Sequence, residues 1–199
     1  MPFALRMLSE DWSRRELLTF LTSSLDAVAA AAARCVGYVG SVEDAAALAR
    51  LLSHPSDEVA SQAEDALWSI WMRAGGENAR RVLASAIRLS EAGEPETALA
   101  LLGDLCRQHP TFAEAYHQRG LILLGAEMFD AAREALLRAL ALNPLHYSAA
   151  ANLGHVAVEL GRLADALRHY REALQINPRL AEIAEILPDL EAAVARRVA

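Results

Sequence analysis

Residues 110–144, PTFAEAYHQRGLILLGAEMFDAAREALLRALALNP, and residues 144–178, PLHYSAAANLGHVAVELGRLADALRHYREALQINP, decide the architecture once one is laid over the other. Pro110, Pro144 and Pro178 are spaced by 34 and again by 34 residues. Registered on them, Ala98, Ala132 and Ala166 form a column, as do Leu102, Leu136 and Tyr170, and Leu105, Ala139 and Ala173. Gly120 and Gly154 align, with Ala86 one period earlier. Each period holds two apolar-periodic stretches of about 13 residues, the length of an ordinary helix. Small residues at 86, 120 and 154 fit a close approach between the two helices of a pair. Tyr116, Phe129, Leu136 and Tyr170 supply the bulk. Thr111-x-x-Glu114 reads as a capping box opening a helix. Asn143-Pro144 and Asn177-Pro178 read as helix ends, because the residue before proline disfavours helical backbone.

On these positions, residues 78–178 resemble three tetratricopeptide repeats. The second carries Tyr116, Arg119-Gly120, Leu123, Ala132, Leu136, Ala139 and Pro144; the third Ala150, Leu153-Gly154, Ala157, Ala166, Tyr170, Ala173 and Pro178. The first is looser: Val82, Ser85-Ala86, Leu89, Ala98, Leu102, Leu105 and Pro110. Arg119 departs from the usual apolar residue. The resemblance implies an all-α right-handed solenoid of antiparallel helix pairs whose first helices line a concave groove.

The N-terminal part has a different period. Asp26, Val28, Ala29 and Ala32 recur 31 residues later as Asp57, Val59, Ala60 and Ala63, and Val36 and Val39 recur as Leu67 and Ile70. Residues 30–52 resemble a HEAT repeat, with Ser41 and Ser56 as helix N-caps ahead of acidic first turns. The expected organisation is an N-terminal helix (residues 9–21) and HEAT-like pairs over 1–76, tetratricopeptide-like repeats over 77–178, and a capping helix over 179–199, kinked or split at Pro188. With only Ala74-Gly75-Gly76 between the two arrays, one continuous solenoid is expected, the helix from Asn78 to Glu91 serving both.

Composition narrows function. Nineteen cations, all arginine, stand against 26 acidic residues, a formal charge of −7. An acidic chain without a basic block does not suit nucleic acid or an anionic membrane surface. Met1–Arg6 lacks the apolar core of a secretory signal. The most apolar segment, Val28 to Val39, is shorter than the roughly 20 residues a bilayer needs. A cytoplasmic protein is expected.

Chemistry is sparse. Without lysine there is no Schiff base or P-loop cation, and no phosphate loop or nucleophile elbow occurs. No catalytic residue, cofactor or metal site is therefore expected. Cys106 and His109 stand one helical turn apart, as a nucleophile pair or as a core thiol and a C-terminal imidazole. His117 and His155 could supply only two of the three or four ligands zinc requires. His146 reads as a surface residue at a helix start, His169 as a second-helix face residue. Trp68 and Trp71 share a helix face, as core or as an exposed anchor.

The resemblance places Arg80, Ile87, His117, Gln118, Leu121, Asn152 and His155 in the concave groove, where amides can pair with an extended peptide backbone. Cochaperones of this family that grip the C-terminal carboxylates of heat-shock chaperones use Lys, Asn and Arg there; Glu114 and Ser148 occupy positions where a cation would help, so that subtype is not expected. The expected function is a non-catalytic adaptor or scaffold for a protein or peptide partner. Two alternatives stay open: a HEAT-like subunit associated with a bilin-attaching lyase, and a homodimer formed through the Ala-rich Val28–Val39 helix.

Overall fold

The computed structural model describes residues 12–198, and these are helical with no strands. They fall into two compact units, divided between Ala74 and Gly75. The beginning expected for the N-terminal helix, residues 9–11, and the Met1–Arg6 segment lie outside the described residues.

In the first unit, α1 (Arg14–Phe20) opens on a capping box between Ser13 and Glu16. The next elements are α2 (Asp26–Val39), α3 (Ala45–Ala49) and α4 (Asp57–Arg73). Three of the 31-residue pairs lie in the interior where α2 packs on α4: Ala29 with Ala60, Ala32 with Ala63 and Val36 with Leu67 are all buried. Gly37 is required there, because a Cβ on it would sit 2.8 Å from the Ala66 backbone. Arg73 closes the C-terminus of α2 by donating to the Gly37 and Gly40 carbonyls.

In the stretch 41–52, α3 is flanked by 3-10 turns at Val42–Asp44 and Arg50–Ser53. Ser41 does hold the start, its backbone N–H donating to Asp44 (2.9 Å), a buried carboxylate that Arg14 also binds. Ser56 stands at the N-cap of α4, but its hydroxyl caps nothing. The Ala-rich face of α2 is interior rather than exposed, so the helix presents Val28, Tyr38 and Val39 to solvent instead. Trp71 is core at 3% exposure, edge-on to half-buried Trp68.

The second unit is a run of helix pairs: α5 (Gly76–Glu91) with α6 (Pro95–Gln108), α7 (Ala113–Gly125) with α8 (Phe129–Leu142), and α9 (Tyr147–Glu159) with α10 (Leu163–Ile176). A last helix, α11 (Ala181–Val198), packs on α10 and runs through Pro188 without splitting. The columns read from the sequence are its core. Ala98, Ala132 and Ala166 are fully enclosed, and Leu102, Leu136 and Tyr170 fill the space opposite. A Cβ on Gly120 would stand 2.6 Å from the Leu136 side chain, and one on Gly154 would stand 2.3 Å from the Tyr170 ring. Asn143 and Asn177 cap α8 and α10 in extended backbone, and their side-chain oxygens accept from the N–H two residues on.

A further 34-residue column emerges only from backbone angles. Gly93, Glu127 and Gly161 all have positive φ (81°, 58° and 69°) at the turn inside each pair. A Cβ on either glycine would meet nothing within 4 Å, so backbone conformation rather than space selects them. Glu127 bears the left-handed strain that glycine avoids, about 1 kcal/mol or more. Glu127→Gly is therefore expected to stabilise the protein by about 1 kcal/mol in urea unfolding. An unchanged or lower midpoint would count against that backbone assignment.

Candidate functional site

The first helices α5, α7 and α9 lie side by side, α7 touching both neighbours. Between α5 and α7 runs an open groove of about 410 Å³, lined by Ile87, Ser90, Glu91, Pro95, Gln118 and Leu121 among others. Its position follows from the repeat. Residues 84, 118 and 152 share one column and 87, 121 and 155 another, so Gln118 and Asn152 are equivalent, as are Ile87, Leu121 and His155.

The structure separates the seven residues expected in the groove. Ile87, Gln118 and Leu121 line it. Arg80 is exposed on α5, but its guanidinium is held by Glu77 through two bonds of 3.0 and 2.8 Å. Asn152 is half-buried on α9. His155 is exposed, with its Nδ1 accepting from the Tyr170 hydroxyl at 2.8 Å. Burial lowers the His155 imidazole and pushes the Tyr170 phenol up to about 12, so the phenol is the donor.

His117 is not a groove residue. It is 1% exposed, because its column is Leu83, His117 and Ala151, an interior one. His146, expected at the surface, is wholly enclosed and is the N-cap of α9, its Nδ1 accepting from the Ala149 N–H at 3.3 Å. Its equivalents are Phe112 and Leu180, so an imidazole occupies a slot that elsewhere takes an apolar side chain. Both rings turn to Glu114, itself 1% exposed. His117 Nδ1 is 3.0 Å from one carboxylate oxygen and His146 Nε2 is 3.0 Å from the other. Gln118 Nε2 donates to the first oxygen at 2.8 Å. The capping box expected at Thr111 is not made: Phe112 is the N-cap of α7, and Glu114 faces the histidines instead.

Burial alone would push the Glu114 carboxyl up. The hydrogen bonds and charge of the two histidines more than offset it and hold the group at about 2. Burial, with His117 alongside, lowers His146. The result is one buried carboxylate joining α7 to the start of α9.

The same three side chains are the metal-ligating set among the described residues, their ligand atoms all within 4.8 Å of one another. The geometry favours shared protons over a metal. The Ala149 N–H fixes His146 Nδ1 as acceptor, so Nε2 carries the proton and points it at Glu114. A metal on Nε2 would move that proton to Nδ1, directly against a backbone donor. Cys106, meanwhile, is 6% exposed and burial pushes its thiol up to about 11, so the Cys106–His109 pair offers no thiolate.

Residues 117–181 match the tetratricopeptide repeat family. A comparison with curated sequences finds no match. Among solved structures the chain is similar to the first such domain of Spaghetti (RPAP3) bound to an HSP90 peptide, SRMEEVD, at 20% identity, covering 59% of this chain and 93% of that one with a TM-score of 0.56. It is similar to MamA at 23% identity, covering 68% and 81%, with a TM-score of 0.56. It is also similar to the Yersinia enterocolitica type III secretion chaperone SycD in complex with a YopD peptide, at 12% identity, covering 57% and 92%, with a TM-score of 0.55. Residues 117–181 carry tetratricopeptide repeats, and the helix pairs of the second unit have the helical solenoid fold of such repeats.

Proposed function

We propose that the second unit is a non-catalytic protein-interaction module that takes an extended peptide segment into the groove beside α5, α7 and α9. The observation that carries this reading is the groove itself. It has an apolar floor of Ile87 and Leu121, and Gln118 stands beside them with one polar atom uncommitted. An apolar concavity with a few convergent polar groups is the usual form of a recognition site. Peptides accompany two of the similar structures, the HSP90 segment in Spaghetti (RPAP3) and the YopD segment in SycD. Among the described residues no helix is long and apolar enough to cross a membrane.

The test begins with capture of a partner from native lysate by the full chain, followed by calorimetric titration of the peptide mapped from it. Losing one member of a desolvated hydrogen bond costs about 1–3 kcal/mol, so Gln118→Ala and Asn152→Ala should each weaken binding by about tenfold. Glu134→Ala, exposed on α8, should leave affinity unchanged. Parent-like affinity in both groove variants would place the binding surface elsewhere.

A further inference from the structure

Glu114 touches no solvent, yet it dictates which atoms Gln118 and Asn152 can show a ligand. An ionised carboxylate only accepts hydrogen bonds. Gln118 must therefore turn its NH₂ group inward, as it does at 2.8 Å, leaving its carbonyl oxygen outward. His117 must likewise give its Nδ1 proton to Glu114. Asn152 meets the other ring nitrogen, Nε2, through its Nδ2 at 3.3 Å. That bond takes one N–H of the amide and turns the Asn152 oxygen towards a partner. The amide orientations follow from the chemistry of one buried acid, passed outward through two bonds on one side and one on the other.

Acidic side chains stand close to these amides. Glu91 lines the groove. Glu159 and Glu182 are exposed and close enough to act on His155. Of the cations on α5, Arg80 is paired with Glu77, and Arg88 donates to the Ser85 hydroxyl.

Resting on the peptide-binding reading, we propose that Glu114 is a positioning residue that turns amide oxygens outward in an acidic groove, and that the occupant is a protein segment carrying an arginine or lysine side chain. Such a side chain brings only donors and a positive charge. An acidic C-terminal segment would bring acceptors against acceptors.

The experiment selects a fully randomised displayed peptide library on the immobilised full chain at pH 7.5, with sequencing before and after. Arginine and lysine should be enriched, and aspartate and glutamate depleted. For the best arginine peptide, replacing that arginine by citrulline, which keeps the shape and removes the charge, should weaken binding by about tenfold. Gln118→Met and Asn152→Leu should bring the arginine-to-citrulline ratio towards one. Glu114→Gln should lower the ratio too, since a glutamine at 114 can donate and lets Gln118 turn; if it does not fold, the two groove variants carry the comparison. Selected peptides without basic enrichment, or a ratio unmoved by both groove variants, would overturn the polarity proposal while leaving peptide binding intact. Selection of no peptide at all would overturn the groove reading and this inference with it.

Discussion

Gly154→Leu is expected to lower stability by about 3 kcal/mol or more, enough to shift the urea midpoint far below the parent's. Overpacking a filled interior usually costs about 1–3 kcal/mol, and the upper end applies where the neighbour cannot move. Here the neighbour is the Tyr170 ring, 1% exposed and tied through its hydroxyl to His155 at 2.8 Å. A Cβ alone at 154 already stands 2.3 Å from that ring. Gly120→Leu should be milder, because it meets the aliphatic end of Leu136, which can change rotamer. Ala132→Phe, in the enclosed column opposite, should also destabilise. An equal midpoint for Gly154→Leu and the parent would mean that α9 and α10 do not approach as described.

Glu114→Ala should cost about 3–5 kcal/mol by a different route. It opens little apolar space but leaves two enclosed imidazole donors, on His117 and His146, without their acceptor. Each orphaned buried donor costs about 1–3 kcal/mol. Gln118 is half-buried and can turn to water, so it adds little. The pH dependence has a definite sign. A carboxyl held at about 2 in the fold, against roughly 4.3 when unfolded, binds fewer protons folded than unfolded across that interval. Its stabilisation is present above the unfolded value and is lost as pH falls towards 2. His146, lowered by burial, adds a loss of the same sign as pH drops below its unfolded value of about 6.5. Urea midpoints of the parent should therefore fall from pH 7 to pH 3, and more steeply below pH 4.5 than those of Glu114→Ala. Parallel curves would remove Glu114 from the account of acid stability.

The sequence alone determined the helix pairs of the second unit and their register. A period of 34 residues, with small residues repeating opposite large ones, admits only one stacking in which every small position faces a bulky one. Gly154 against Tyr170 and Gly120 against Leu136 were legible for that reason, as were the helix ends at Asn143 and Asn177, where the reason is local backbone preference. The groove positions Ile87, Gln118 and Leu121 followed from the same register. Two signals were present and pointed inward. His117 shares a column with Leu83 and Ala151, and His146 with Phe112 and Leu180, so each imidazole stands where the repeat buries carbon. Even so, what those imidazoles do could not be read from the chain. A glutamate three residues after Thr111 has a local partner within reach, the backbone of its own first turn, and sequence patterns express such local competition well. Its actual partner at His146 lies 32 residues away and comes close only when α9 docks on α7. Only the tertiary structure decided that Glu114 joins two repeats and orients the amides beside it, because desolvation is what makes a carboxylate give up a local cap for two enclosed donors.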